Sequence, residues 1–218
     1  MQAYLDNSAT TRCLERVTDK MVEVMRTDFG NPSSMHTKGV EAEKYIREAK
    51  TFFARNLKVQ EKEIYFTSGG TESNNLALIG TAMANRRNGS HLITTCLEHA
   101  SVSNPMKYLE SQGFRVTYLP AGEDGVIRME DLENALCDDT ILVSVMYVNN
   151  ETGAVQPVDE IGKLLKEQRR KIFFMWTQSR PMGNTGFSPR ERGLISCPPA
   201  GTRFTVPREA DFCMWTKR

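Results

Sequence analysis

The chemically most informative segment of the sequence is a run of small, hydroxyl and amide residues, Phe66-Thr67-Ser68-Gly69-Gly70-Thr71-Glu72-Ser73-Asn74-Asn75. Apolar residues precede and follow it, which predicts that it joins a strand to the start of a helix. Backbone N–H groups in such a place can surround a phosphate group. The segment is neither a GK[ST] loop nor a GxGxxG loop. An ordinary turn, capped by Ser68 or Thr71 with Glu72 in the first helical turn, explains the same residues equally well.

Two further polar segments follow predicted strands. His99 comes just after a strand end, where α/β folds keep their ligand sites, and its ring can stack on a flat cofactor. A lone histidine is, however, more often structural. Asn149 and Asn150 follow the apolar strand Ile141–Tyr147. A carboxamide there can bond a cofactor ring substituent, or simply close a turn rich in asparagine.

The elements that must position these residues alternate between strand and helix up to about residue 174. This order predicts an α/β fold in which helices cover a mostly parallel sheet. The predicted strands are Ile64–Thr67, Leu92–Thr95, Arg115–Leu119, Ile141–Tyr147 and Lys171–Phe174, and the predicted helices span Thr11–Arg26 and Thr37–Asn56 and begin near Thr71, Ala100, Met129 and Val158.

The composition excludes several classes of function. The formal net charge of +1 offers no electrostatic case for nucleic acid or for an anionic membrane. No apolar run is long enough to span a bilayer, and the first residues do not read as a signal peptide. The five cysteines are scattered without a CxxC pair, so we expect no disulfide framework, no metal site and a cytoplasmic protein. Cys96 is predicted to pack in the core.

Five co-linear motifs resemble those of cysteine desulfurases of the NifS/IscS type, which are class-V, fold-type I enzymes that use pyridoxal 5'-phosphate (PLP). The motifs are Tyr4–Thr11, Gly30–His36, Thr67–Asn75, Glu98-His99 and Asn149–Gly153, and the resemblance is continuous to Phe174. It implies an incomplete three-layer PLP-binding large domain, a homodimer, and L-cysteine as the substrate. It further implies that L-alanine is released and that enzyme-bound sulfur passes to an acceptor or to an Fe–S scaffold protein.

The resemblance also implies roles for single residues. Gly70 and Thr71 would hold the phosphate, and His99 would stack on the pyridine ring as an acid/base candidate. Asn150 would contact the ring hydroxyl, and Asn7 and His36 would lie near the substrate.

The chain departs from the family pattern after Phe174, which divides it into segments 1–174 and 175–218. The family continues with His-Val-Asp-Ala-x-Gln, whose aspartate pairs with the pyridinium nitrogen, and then with Ser-x-Ser-Gly-His-Lys. Neither motif is present, so the Schiff-base lysine is absent. The segment Met175–Arg218 has no sustained period of about 2 or 3.6 residues, which is typical of a loop-rich tail.

The genetic code offers an explanation for this departure. Methionine and tryptophan each have a single codon, so Met175-Trp176-Thr177 is encoded by ATG-TGG-ACN. Read one base earlier, this stretch allows His-Val-Asp, and the same shift over Ile195–Arg208 allows Ser-Ala-Ser-Gly-His-Lys. The lost lysine codon would straddle Thr202 and Arg203. We therefore expect a frameshift near codon 174 and an inactive polypeptide.

Two alternatives stay open. The chain is compatible with another class-V PLP enzyme, such as a selenocysteine lyase or an aminotransferase. It is also compatible with a non-catalytic fragment that binds a full-length desulfurase or a sulfur acceptor. A functional tail should show its own hydrophobic period, and the absence of one in Met175–Arg218 favours the disrupted desulfurase.

Overall fold

The structure is a computed structural model that describes residues 3–5, 12–178, 195–197 and 211–214. Asn7 and Thr11 lie outside the described residues, and so does the stretch from Thr202 to Arg203. The role predicted for Asn7 therefore stays a prediction.

Helices and strands alternate along the described residues. The helices are α1 (Glu15–Thr27), α2 (Thr37–Leu57), α3 (Gly70–Asn85), α4 (Ala100–Ser111), α5 (Met129–Ala135) and α6 (Val158–Glu167), with a short 3-10 turn at Glu61–Glu63. The strands are β1 (Ile64–Thr67), β2 (His91–Thr95), β3 (Arg115–Leu119), β4 (Thr140–Val148), β5 (Phe173–Gln178), β6 (Ile195–Cys197) and β7 (Asp211–Met214).

The main sheet has the order β3-β2-β4-β5-β6, and each neighbouring pair is parallel. β7 pairs antiparallel with β1 and lies next to β6. Every residue of β2 is buried, as expected for a parallel strand that is covered on both faces.

Two apolar clusters, one on each face of the sheet, make the fold a three-layer structure. Successive strand residues point to opposite faces, so Leu92 and Ile93 contribute to different clusters. The first cluster joins the sheet to α3 and α4, and the second joins it to α5 and α6. The predicted α/β fold with a mostly parallel sheet is therefore confirmed.

The first helix differs from its prediction. α1 begins at Glu15 and not at Thr11 as predicted, and its N-cap, Leu14, makes no side-chain cap hydrogen bond. None of the residues of α1 is buried, although the helix is strongly amphipathic. Among the described helices, none combines the length and the apolar character needed to cross a bilayer.

The strand predicted at Lys171–Phe174 is displaced toward the carboxyl terminus. β5 runs from Phe173 to Gln178, with Met175 opposite Ser144 and Trp176 opposite Val145. Phe174 and Met175 bury their side chains on opposite faces, whereas the charged Lys171 stays outside the strand. The loop-rich prediction is thus wrong for the beginning of the tail and for β6 and β7.

The environment predicted for Cys96 is also wrong. Cys96 directly follows β2 and is exposed. The apolar and threonine residues before it belong to the buried strand, but the chain has already left the sheet at Cys96.

Candidate functional site

The turn between β1 and α3 leaves the amino terminus of the helix open to an anion. The N-cap, Gly69, has no side chain that could cap the helix. The carboxylate of Glu72 accepts hydrogen bonds from the Ser68 backbone N–H and hydroxyl, both at 2.6 Å, and these bonds lower the pKa of Glu72. The first backbone N–H groups of a helix have no intrahelical acceptor, so they remain available to a ligand.

Two hydroxyl groups hold this turn in place. The Thr67 and Ser73 side-chain oxygens lie 2.6 Å apart, and Ser73 is buried in the first turn of α3. The Thr67 hydroxyl also donates to the carbonyl oxygen of Gly69 at 3.3 Å. The backbone geometry around Gly70 is therefore set before any ligand binds.

His99 is fixed at the start of α4 as its N-cap. Its Nδ1 accepts a hydrogen bond from the Ser101 backbone N–H at 3.0 Å and lies 2.8 Å from the Ser101 hydroxyl. The Asn74 side-chain amide donates to that hydroxyl at 2.8 Å, which leaves the hydroxyl hydrogen to point at the ring. This network assigns the remaining ring proton to Nε2.

An open groove with a volume of about 610 Å³ lies between α3 and α4. Thr71 and Asn75 line it from α3, and His99 and Asn104 line it from the other side. The structure thus brings together two residues that the sequence analysis selected separately, Thr71 and His99. Their roles in cofactor binding remain predictions.

Two other selected residues do not line this groove. Asn150 is exposed in the turn after β4, and His36 is exposed as the N-cap of α2, where its Nδ1 accepts from the Gly39 N–H at 3.2 Å. The buried neighbour Asn149 instead closes the turn, because its Oδ1 accepts from the backbone N–H groups of Glu151 and Thr152, both at 2.9 Å.

Glu98 is a buried carboxyl group beside His99 that the sequence analysis noted only as part of a motif. Its Oε1 accepts hydrogen bonds from the Met146 N–H at 2.7 Å and from the Thr95 hydroxyl at 3.1 Å. Its Oε2 is buried and has no partner among the described residues. Burial raises the pKa of Glu98 to about 8, so the group is largely protonated at neutral pH.

The sequence gives no local signal for several of these contacts. Asn74 and Ser101 are separated by a strand and a helix, and only the packing of α3 against α4 joins them. Asn75 is one position further along α3 and faces the groove. The only sequence signal for the contacts of Asn74 and Asn75 is that the polar segment extends beyond Gly69 and Gly70 into the helix.

The described residues fit part of a PLP molecule. The open amino terminus of α3 suits its phosphate, and the oriented ring of His99 suits its pyridine ring. β5 reads Phe-Phe-Met-Trp-Thr-Gln, so this strand offers neither a lysine for covalent attachment nor a carboxylate for the ring nitrogen. Lys171 precedes the amino end of β5, whereas the groove lies beyond the carboxyl end of β2.

Comparison with known proteins agrees with this fold. The family model described as "Aminotransferase class-V" matches residues 3–179. The chain is 42% identical to the cysteine desulfurase IscS of Methanosarcina thermophila over 205 residues, 94% of this chain and 50% of that protein. It is 48% identical to the putative cysteine desulfurase IscS 1 of Bacillus subtilis over 166 residues, 76% of this chain and 44% of that protein.

Solved structures resemble this chain over all or nearly all of its length. A "NIFS-LIKE PROTEIN" has a TM-score of 0.90 and 34% identity, covering 100% of this chain and 60% of that one. The structure titled "SspA in complex with cysteine" has a TM-score of 0.90 and 31% identity, covering 98% of this chain and 61% of that one. The predicted fold-type I large domain and its incompleteness are confirmed.

The chain spans about half the length of the curated relatives it matches. Enzymes of the matched family depend on PLP. Because the family model matches residues 3–179, this chain belongs to the class-V aminotransferase family.

Proposed function

We propose that this chain carries the phosphate- and ring-binding part of a cysteine desulfurase. The observation that carries the proposal is the groove shared by Thr71 and His99, with Asn74 and Ser101 joining its two sides. The relatives that are named cysteine desulfurases support L-cysteine as the substrate of the complete enzyme.

The groove residues would bind and orient the cofactor. PLP, when bound, withdraws electrons from the substrate carbon next to it. Thr71 and the first N–H groups of α3 would hold the phosphate, while His99 presents its ring at a fixed angle because Ser101 bonds its Nδ1. The neutral Glu98 adds no negative charge next to the ring. Pre-set groups of this kind lower the entropic cost of binding.

We also propose that this polypeptide binds PLP only non-covalently and releases no sulfide. The only lysines after residue 166 are Lys171 and Lys217. Contacts with a helix terminus contribute only about 0.3–1 kcal/mol each when exposed, which is too little to replace a covalent bond. A one-base loss near codon 174 is our proposal for the origin of this defect.

The complete enzyme would work with partners. We propose that it forms a homodimer and passes sulfur to a sulfur-acceptor or Fe–S scaffold protein. We also propose that this takes place in the cytoplasm. The large exposed fractions of Phe29 (72%) and Met35 (99%) support burial of this side of the molecule in an assembly.

The experiment is a titration of the full 218-residue chain with PLP, in which fluorescence measures the bound fraction. The loaded protein is then dialysed to test whether binding is reversible. We expect saturable binding that dialysis reverses, and we expect Thr71→Val and His99→Asn each to weaken it. Asparagine retains the ability to cap α4, so the second variant removes the ring alone. Thr18→Val, on the exposed face of α1, is the matched control. Equal binding by all four proteins would contradict the proposal.

A further inference from the structure

A second cluster of reactive side chains lies at the opposite, amino-terminal edge of the main sheet. β2, β3 and β4 begin at His91, Arg115 and Thr140, so these residues meet where the strands start. Cys137 lies just before β4 and is exposed. None of these residues lines the groove at the carboxyl ends of the strands.

Three side chains contact the sulfur of Cys137. The guanidinium Nη2 of Arg115 donates to Sγ at 3.1 Å, and the Thr140 hydroxyl lies 3.4 Å away. His91 Nδ1 lies 3.3 Å from the sulfur, while Nε2 of the same ring lies 2.8 Å from the Thr117 hydroxyl. A nucleophile, a cation and two hydrogen-bonding groups are thus assembled at one point.

The positive charge against the sulfur comes from Arg115. Burial, with the help of Arg115, lowers the pKa of His91 to about 4, so this ring is neutral at pH 7. Two carboxylates lie near this cluster. Asp139 accepts from the Ser90 N–H and hydroxyl at 3.0 and 2.9 Å, and its charge also acts on Arg115 and on His91, where it partly opposes the lowering of the pKa. Asp138 lies 3.8 Å from Arg170.

These contacts favour the thiolate form of Cys137. Partial burial acts to raise the pKa of the thiol, but hydrogen bonds from Thr140, from the Asp139 backbone and from Arg115 outweigh it and lower the pKa. The thiolate is the nucleophilic form of cysteine, and cysteines next to arginine are the reactive ones.

A basic groove with a volume of about 460 Å³ opens beside this cluster. Arg87, Arg170 and Lys171 line it, together with two asparagines, and no carboxylate is among its lining residues. Thr140 lines the groove, and its hydroxyl lies 3.4 Å from the Cys137 sulfur, so a single side chain separates the groove from the thiol. An anionic molecule in this groove would lie next to the nucleophile.

We propose that Cys137 is a modification site for small anionic disulfides, the class that glutathione disulfide represents. The Cys137 thiolate attacks one sulfur of the disulfide, a new S–S bond forms, and the original S–S bond breaks. The second sulfur leaves as a thiolate, so no further oxidant or reductant is needed. Arg87 and Lys171 bind the carboxylates of the incoming molecule, next to Arg170, which already contacts Asp138.

The test follows disulfide exchange at each cysteine of the full chain by peptide mapping. The chain is treated with glutathione disulfide or with the cationic disulfide cystamine, and Cys96, which is also exposed, serves as the internal reference. With glutathione disulfide we expect Cys137 to react about tenfold faster than Cys96, because it is the stabilised thiolate. With cystamine we expect this ratio to fall. Equal ratios for the two reagents, or equal rates at the two cysteines, would overturn the proposal.

Variants separate the effect of the thiolate contact from the effect of the basic groove. Arg115→Gln should slow the reaction of Cys137 with both disulfides. The double variant Arg87→Gln, Lys171→Gln should slow only the reaction of Cys137 with glutathione disulfide. Arg128→Gln, whose charge lies on the exposed Asp124 turn, is the matched control and should change neither rate. If Arg115→Gln leaves the rate of Cys137 unchanged, the assigned thiolate contact is wrong. The comparison of reagents on the unmodified chain stands even if a variant misfolds.

Discussion

The side-chain amide of Asn74 donates a hydrogen bond of 2.8 Å to the hydroxyl of Ser101, and this bond joins the first turns of α3 and α4. Ser101 in turn lies 2.8 Å from Nδ1 of His99. The helix terminus that faces an incoming phosphate and the ring that faces a cofactor plane are therefore held by one network. A substitution that disturbs this network on one of the two helices should therefore alter the position of the binding groups on the other.

Asn74→Ala should weaken PLP binding although Asn74 lies outside the groove lining. The variant removes a hydrogen bond worth about 0.5–1.5 kcal/mol and frees the Ser101 hydroxyl from its donor, so only the Ser101 backbone N–H still holds His99 Nδ1 and the ring is less firmly oriented. We expect a loss of affinity of roughly two- to tenfold by fluorescence titration. Asn56→Ala, an exposed asparagine on α2 that bonds the Phe52 carbonyl oxygen, should leave the affinity unchanged. Unchanged affinity in Asn74→Ala would show that the ring needs no such support.

Glu98 should make folding stability fall as the pH rises. Because the folded chain raises its pKa to about 8, the folded state holds a proton that the unfolded state releases near pH 4. The stability contribution is therefore complete at low pH and is lost as the pH rises toward 8, by at most about 1.4 kcal/mol per pH unit. Glu98→Gln retains the acceptor for Met146 and should flatten this dependence in urea unfolding at pH 6 and pH 8.

The control for Glu98 is Glu133→Gln, which changes an exposed carboxylate on α5. It should reproduce the pH dependence of the unmodified chain, because an exposed carboxylate is not desolvated by folding. A Glu98→Gln variant with the same slope as the unmodified chain would show that Glu98 is ionised in the folded state.

The sequence predicts those parts of the fold that have local signals. The starts of α4 at Ala100 and of α6 at Val158 agree with the predicted positions, because strand-helix alternation and apolar period are both visible there. Gly122–Gly125 is composed of glycine and acidic residues, which is typical of a turn, and the structure has a turn there with Gly125 at a φ of 73°, which glycine adopts without strain.

The remaining features depend on contacts between distant segments. The carboxyl group of the half-buried Glu98 bonds the Met146 N–H of β4, and nothing around Glu98 in the sequence indicates this partner. β5 extends past Phe174 because Trp176 packs edge-on against Tyr147, with ring centroids 5.4 Å apart. The family motifs end at Phe174, but the core of a strand accepts different apolar residues as long as their volumes fit, so the strand continues beyond that point.

Trp176→Ala tests whether this part of the tail belongs to the folded core. Trp176 is 1% exposed, so its truncation should lower the free energy of unfolding by about 3–5 kcal/mol. Phe52→Ala is the matched control, because the Phe52 ring is 57% exposed and its truncation should lower the free energy of unfolding far less. Urea unfolding monitored by circular dichroism measures both. Similar small losses in the two variants would mean that β5 ends before Trp176 in solution.

Restoring one base near codon 174 should convert this chain into a working enzyme. The single shift that allows His-Val-Asp at Met175-Trp176-Thr177 also allows Ser-Gly-His-Lys around Thr202 and Arg203. The repaired chain would therefore regain both the carboxylate for the ring nitrogen and the lysine for covalent attachment. We expect it to keep PLP through dialysis, to show one labelled lysine after borohydride reduction, and to release sulfide from L-cysteine.

The unrepaired chain, expressed in parallel, should give none of these three signals, because neither Lys171 nor Lys217 lies in a Ser-Gly-His-Lys context. The repaired chain with Thr71→Val should retain the labelled lysine but bind PLP more weakly, since the covalent anchor is separate from the phosphate contacts. A single stoichiometrically labelled lysine in the unrepaired chain, with turnover of L-cysteine, would show that its active site is complete after all. A repaired chain that binds PLP on its lysine yet leaves L-cysteine unchanged would instead favour another class-V reaction, such as that of a selenocysteine lyase or an aminotransferase.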